Sequence, residues 1–160
     1  MYKKYERLHY QRNNFSYWFC LLAILFDVLY MCGVIAPLQI VPDINIGLDV
    51  VFNILFLLFV FLGSEKLKTY NKNRGYYIIG IAIVQIIRIF YIPNLFFFTE
   101  EIDGVIVVAA NSLTATEYSL VVGYLIASSV CLIVAAVVSM IKTSHLALYF
   151  EEKKKLEEVK

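Results

Sequence analysis

Four long apolar runs, separated by short polar clusters, dominate this chain. They cover residues 16–36, 46–62, 77–97 and 118–141. About 20 apolar helical residues cross the ~30 Å hydrocarbon core of a bilayer, with a usual range of about 17–25. All four runs fall in that range, the second being the shortest. Backbone polar groups in lipid must bond within their own segment, which predicts helices. Barrel strands would alternate apolar and polar positions, and these runs do not. The pattern predicts an all-α integral membrane protein, a four-transmembrane-helix bundle forming one domain over 1–160, with a cytoplasmic tail over 142–160.

Lysine and arginine set the expected orientation. The N-terminal stretch holds Lys3, Lys4, Arg7 and Arg12. The connection between the second and third runs holds Lys66, Lys68, Lys72 and Arg74, and the tail holds Lys142, Lys153, Lys154, Lys155 and Lys160. The connections 37–45 and 98–117 hold none. Cations resist translocation, so this alternation predicts both termini on the cytoplasmic side. Asp43, Glu100, Glu101 and Asp103 then face outward. Tyr17 and Trp18 open the first run, and Tyr76 and Tyr77 open the third. Tyr and Trp favour the headgroup level. The first run is too long for a signal-peptide core, and no A-x-A site follows it, which predicts a retained helix.

Composition points the same way. The chain is 61% hydrophobic and 17% charged, against roughly 45–50% and about 25% in soluble domains. Its net charge of +1 provides no field to attract nucleic acid. Cys20, Cys32 and Cys131 all lie in apolar runs and form no C-x-x-C pair, so they read as packing residues. His9 and His145 stand apart from any metal-ligand spacing, so neither a metal nor another cofactor is expected.

Two charges interrupt the apolar runs. Asp27 and Arg88 are each twelfth in their run, roughly 16 Å from the inner boundary. An unpaired charge at that depth costs ~2.5–3.5 kcal/mol on insertion scales. The pattern therefore predicts that Asp27 and Arg88 face each other across a helix contact. Gln85 shares a helix face with Arg88, and Asp49 shares one with Asn53. These five residues form the expected intramembrane polar cluster. Pro93 removes a helical hydrogen bond and predicts a kink in the third helix.

The fourth run carries Ser119, Gly123, Ala127, Cys131, Ala135 and Ser139 at every fourth position. Small residues at that spacing let helices approach closely. The row fits packing within this bundle, or against another protein or a second copy.

Outside the runs, the connection 98–117 is long for a simple turn, and such loops often bind or function. Its apolar stretch 105–110 fits a surface segment, a short strand or a partner contact. Tyr2, Tyr5 and Leu8, with cations between them, suggest a short interfacial helix. The tail reads as a continuation of the fourth helix, with Glu151 and Lys155, Lys153 and Glu157, and Lys154 and Glu158 at i,i+4 spacing.

No G-x-S-x-G, H-E-x-x-H, P-loop or paired catalytic carboxylates occur. No internal repeat is visible, which argues against an inverted-repeat transporter. The leading expectation is a non-catalytic subunit of a larger membrane complex, contributing helix packing and assembly. The other is a small homo-oligomeric transporter or channel using Asp27 and Arg88. The expected partners are the lipid bilayer and other membrane subunits or a second copy. Richness in Ile, Phe, Tyr, Lys and Asn points to an AT-rich genome. The expected location is the plasma membrane of a bacterium, an organelle membrane being the other setting.

Overall fold

The computed structural model describes residues 13–35, 44–68, 72–96, 99–102, 105–108 and 115–158. The expected interfacial helix of the first residues lies outside them. Four helices carry the fold: α1 (Asn14–Ile35), α2 (Ile44–Leu67), α3 (Lys72–Phe96) and α4 (Ala115–Glu158). Each packs on the next, and α4 closes the ring against α1. Helices α1 and α3 therefore lie diagonally across the bundle.

Buried positions explain the ring. In α1 they are Ser16, Cys20, Ala23, Asp27 and Tyr30, at alternating spacings of four and three. In α4 they include Val121, Leu125, Ser128, Leu132, Ala135, Ser139, Thr143 and Leu146. This near-3.5 repeat keeps one seam of each helix facing its neighbours. The half of the bundle nearer the start of α1 is an apolar core around Cys20, Ala23, Phe56, Val60, Ile78, Leu132 and Ala135.

The remaining faces are apolar and exposed. Trp18 is 67% exposed, Ile87 61% and Phe90 75%. A soluble protein rarely presents so large an apolar surface. Helices α1, α2 and α4 are long and apolar enough to cross a membrane. Helix α3 spans 25 residues, about 37 Å, but its apolar stretch Gly75–Tyr91 is shorter. It continues as helix through Pro93 to Phe96.

Two helices outrun their apolar cores. Helix α2 continues past residue 62 to Leu67, and α4 continues through the tail to Glu158. Helix α4 has 44 residues, so it extends about 66 Å.

The bundle is all-helical, as the apolar runs predict, and the short strand allowed for the connection 98–117 is also present. The connection between α3 and α4 contains an antiparallel hairpin of β1 (Thr99–Ile102) and β2 (Val105–Val108). The pairing runs from Thr99 opposite Val108 to Ile102 opposite Val105. The two strands bond each other's backbone.

One end of the bundle gathers the cationic connections. Asn13 precedes α1, and its backbone N–H donates to the Lys68 carbonyl at 3.4 Å. Its carbonyl accepts the first helical bond, from Tyr17, at 3.3 Å. The Lys142 ammonium donates to the Asn13 side chain at 3.2 Å, and Asn13 in turn donates to Ser16 at 3.0 Å. Lys68 also lies 4.0 Å from the Tyr17 ring centre and 2.8 Å from Glu65. The hydrogen bond to Glu65 raises the Lys68 pKa above its ordinary value. The start of α1, the end of α2 and the Lys142 turn of α4 therefore share one end.

Candidate functional site: a polar layer inside the bundle

The seam residues change character in the half of the bundle away from Asn13. Asp27 and Tyr30 from α1, Asn53 from α2, Gln85 and Arg88 from α3, and Ser128 from α4 are all buried. Asp49, one turn before Asn53, is partly buried beside them. The sequence places each at a position the seam turns inward, so the polar groups meet each other rather than lipid.

Two hydrogen-bonded groups result. In the first, the Asp27 carboxylate accepts from Gln85 Nε2 at 2.5 Å and from the Ser128 hydroxyl at 3.2 Å. In the second, Arg88 Nη1 donates to Asn53 Oδ1 at 2.6 Å, and Nη2 donates to Asp49 Oδ1 at 3.3 Å. The Tyr30 hydroxyl donates to the other Asp49 oxygen at 2.9 Å. The guanidinium also lies over the rings of Tyr30 and Phe52, at 4.4 and 5.6 Å. A cation over a ring face in a desolvated site gains electrostatic stabilisation from the ring quadrupole.

The expected Asp27–Arg88 pair is corrected here. Among the described residues Arg88 forms its ion pair with Asp49 on the adjacent helix α2. The reason is the ring order. Asp27 and Arg88 sit on diagonal helices, whereas Asp49 faces Arg88 across a direct helix contact. Gln85 crosses the diagonal instead, one turn from Arg88, and takes up Asp27. All five residues of the expected cluster are thus brought together, with a different pairing.

Tyr30 and Ser128 complete the layer, and sequence reasoning missed both. Tyr30 lies three residues after Asp27, on the same helix face. Ser128 lies on the seam of α4 between Leu125 and Leu132, offset from the regular row of small residues. Those spacings were the available signals.

Three buried polar atoms of this layer have no partner among the described residues: Asn53 Nδ2, Gln85 Oε1 and Arg88 Nε. No group of three His, Cys, Asp or Glu side chains able to hold a metal occurs among the described residues.

The row of small residues on α4 divides in two. Cys131, Ala135 and Ser139 are buried in the bundle, while Ser119 and Gly123 are exposed and Ala127 is intermediate. A step of four residues overshoots one turn, so the row drifts ~40° around the helix per step. It therefore leaves the core seam toward the start of α4.

The fold and this layer define a helical bundle with a lipid-compatible exterior and a buried polar centre. Comparison with protein-family models, curated proteins and solved structures gives no match.

Proposed function

We propose that this chain is a non-catalytic subunit of a larger membrane protein complex. It crosses the bilayer four times, with both termini on the cytoplasmic face, and contributes helix packing to the assembly. The gathering of Asn13, Lys68 and Lys142 at one end supports that orientation, because the cations retained inside then share a face.

The observation that carries the assembly reading is the outer half of the α4 row. Ser119 and Gly123 are exposed there, and a Cβ built on Gly123 meets nothing within 4 Å. The same row is buried within the bundle further in. Exposed small residues leave backbone open to close approach by a helix, and dispersion and weak polar contacts then favour association. Purification in mild detergent from the native membrane tests this. The wild-type chain is expected to carry a partner, and Gly123→Leu to lose it while remaining folded. A lone monomer from the native membrane contradicts the proposal.

A second reading, a small homo-oligomeric transporter or channel, draws on the unpartnered polar atoms around Arg88 and Gln85. Flux in liposomes containing only this chain tests it. Flux unchanged by Asp27→Asn removes Asp27 from that role.

A further inference from the structure

Helix α4 runs past the bundle that the other three helices close. Its Lys142 is level with Asn13, the residue before α1, and donates to the Asn13 side chain at 3.2 Å. The Asn13 N–H in turn reaches the carbonyl of Lys68, just past the end of α2. A Cβ on Gly75 would meet Met140, so the start of α3, three residues earlier, lies near Thr143. At 1.5 Å per residue, Leu146 and Tyr149 stand about 6 and 10 Å beyond Lys142. They are nevertheless only 8% and 7% exposed, while Ser144, His145, Ala147, Leu148 and Phe150 around them are open. Thr143, Leu146 and Tyr149 thus form a covered strip, one residue in three, on a stretch of helix whose other faces are exposed.

The other described helices end short of this strip. Two segments of the chain leave the bundle at the same end, residues 1–12 and 69–71. The second joins Lys68 to Lys72 and must span two helices whose axes typically lie about 8–10 Å apart. That leaves it little length to climb the extension. The first joins the bundle at Asn13. Twelve residues in helical geometry extend about 18 Å, enough to run from the level of Lys142 past Tyr149.

We propose that residues 1–12 dock antiparallel along this strip, with Tyr5 and Leu8 over Leu146 and Tyr149. Two features of the sequence fit. Tyr2, Tyr5 and Leu8 recur at every third position, the spacing of the strip itself, and residues so spaced share one helix face. Counted outward from the Asn13–Lys142 contact, Lys4 and Glu151 are each nine residues away and come level. Lys3 and Lys4 thereby approach Glu151, an exposed residue and the first acidic one after Lys142. Exposed ion pairs contribute little energy. Burial of the Tyr and Leu side chains therefore drives the docking, and the charges set its direction. A lipid surface is the other setting for a basic, aromatic segment. It would leave Leu146 and Tyr149 open to water, contrary to their burial.

The contact is internal to the chain, so it stands or falls apart from the assembly reading. The test uses the full chain lacking Cys20, Cys32 and Cys131, alone in phosphatidylcholine vesicles. One form carries Leu8→Cys with Leu146→Cys. Another carries Leu8→Cys with Leu148→Cys, on the open face. A disulfide needs Cα atoms within about 7 Å. Tethering alone gives both forms the same chance, whereas docking is expected to make the first close about tenfold faster on mild oxidation. In a third form, Leu146→Cys alone is expected to react slowly with a water-soluble maleimide. Tyr5→Asp with Leu8→Asp is expected to raise that rate several-fold and to leave reaction at Leu148→Cys unchanged. Equal closure in the two disulfide forms, or a maleimide rate untouched by Tyr5→Asp and Leu8→Asp, overturns the docking. A disulfide-linked dimer in place of the internal bond assigns the strip to a second copy and overturns it as well.

Discussion

Arg88 on α3 pairs with Asp49 on α2 at 3.3 Å, while Asp27, at the depth from which a partner for Arg88 was expected, is bound by Gln85 and Ser128. The two acidic residues therefore have different duties. Asp49 balances a buried charge. Asp27 joins three helices through hydrogen bonds.

Neutralising them separates these duties. Asp49→Asn leaves Arg88 without its ion-pair partner, and removing one member of a buried pair costs ~3–5 kcal/mol. Asp27→Asn keeps an acceptor for Gln85 and is expected to cost nearer ~1 kcal/mol, in line with interhelical bonds in membranes. Arg88→Met in the Asp49→Asn background is expected to recover much of the loss. Reversible unfolding in mixed micelles measures all three. A larger cost for Asp27→Asn than for Asp49→Asn would show that the pairing is assigned wrongly.

Two glycines, Gly63 and Gly75, sit at close helix contacts. A Cβ on Gly75 would lie 2.5 Å from Met140 Cγ, and one on Gly63 would lie 2.7 Å from Ile78 Cδ1. Gly75→Ala forces Met140 aside, and overpacking of this kind typically costs ~1–3 kcal/mol. Gly123→Ala meets open space and is expected to leave the isolated chain as stable or slightly more so, since Ala favours helix over Gly. Thermal unfolding of the two variants in one detergent compares them directly. Equal stability of both would contradict the close α3–α4 approach.

Asn13 acts as a latch at the cationic end. It is fully buried and links α1 to α2 through its backbone and to α4 through its side chain. Asn13→Ala removes the side-chain acceptor for Lys142 and the donor to Ser16. The expected loss is ~1–2 kcal/mol. Faster amide exchange at the first turn of α1 and around Lys142 is the accompanying signature. Unchanged exchange at both places would show that Asn13 is not what joins them.

Much of this architecture was legible in the chain. Apolar length located the helices, because lipid requires both an apolar surface and internal backbone bonds. It located their ends less well, since a helix does not stop where lipid does. Helix α2 runs on through Gly63, Ser64 and Glu65 to Leu67, and α4 runs on well beyond Ile141. That Asp27 and Arg88 belong to one buried layer was legible from their equal offsets, but their partners were not. Partner choice depends on which helices are adjacent and how each is rotated, and Asp49 wins by standing on the neighbouring helix. The hairpin between α3 and α4 had a signal in Asp103–Gly104 beside the apolar run 105–110, yet length alone left a strand as one choice among several. The α4 row was visible as a spacing, whereas its passage from the core to the surface follows from the accumulated drift of the helix.

The central claim is that the bundle crosses a bilayer four times with its cationic end inside. Single cysteines placed at Ser112 and at Asn73, in a chain lacking Cys20, Cys32 and Cys131, test it with a membrane-impermeant maleimide. Ser112→Cys is expected to react in intact cells, and Asn73→Cys only after the membrane is opened. Reaction of both from the same side would contradict the four-crossing account.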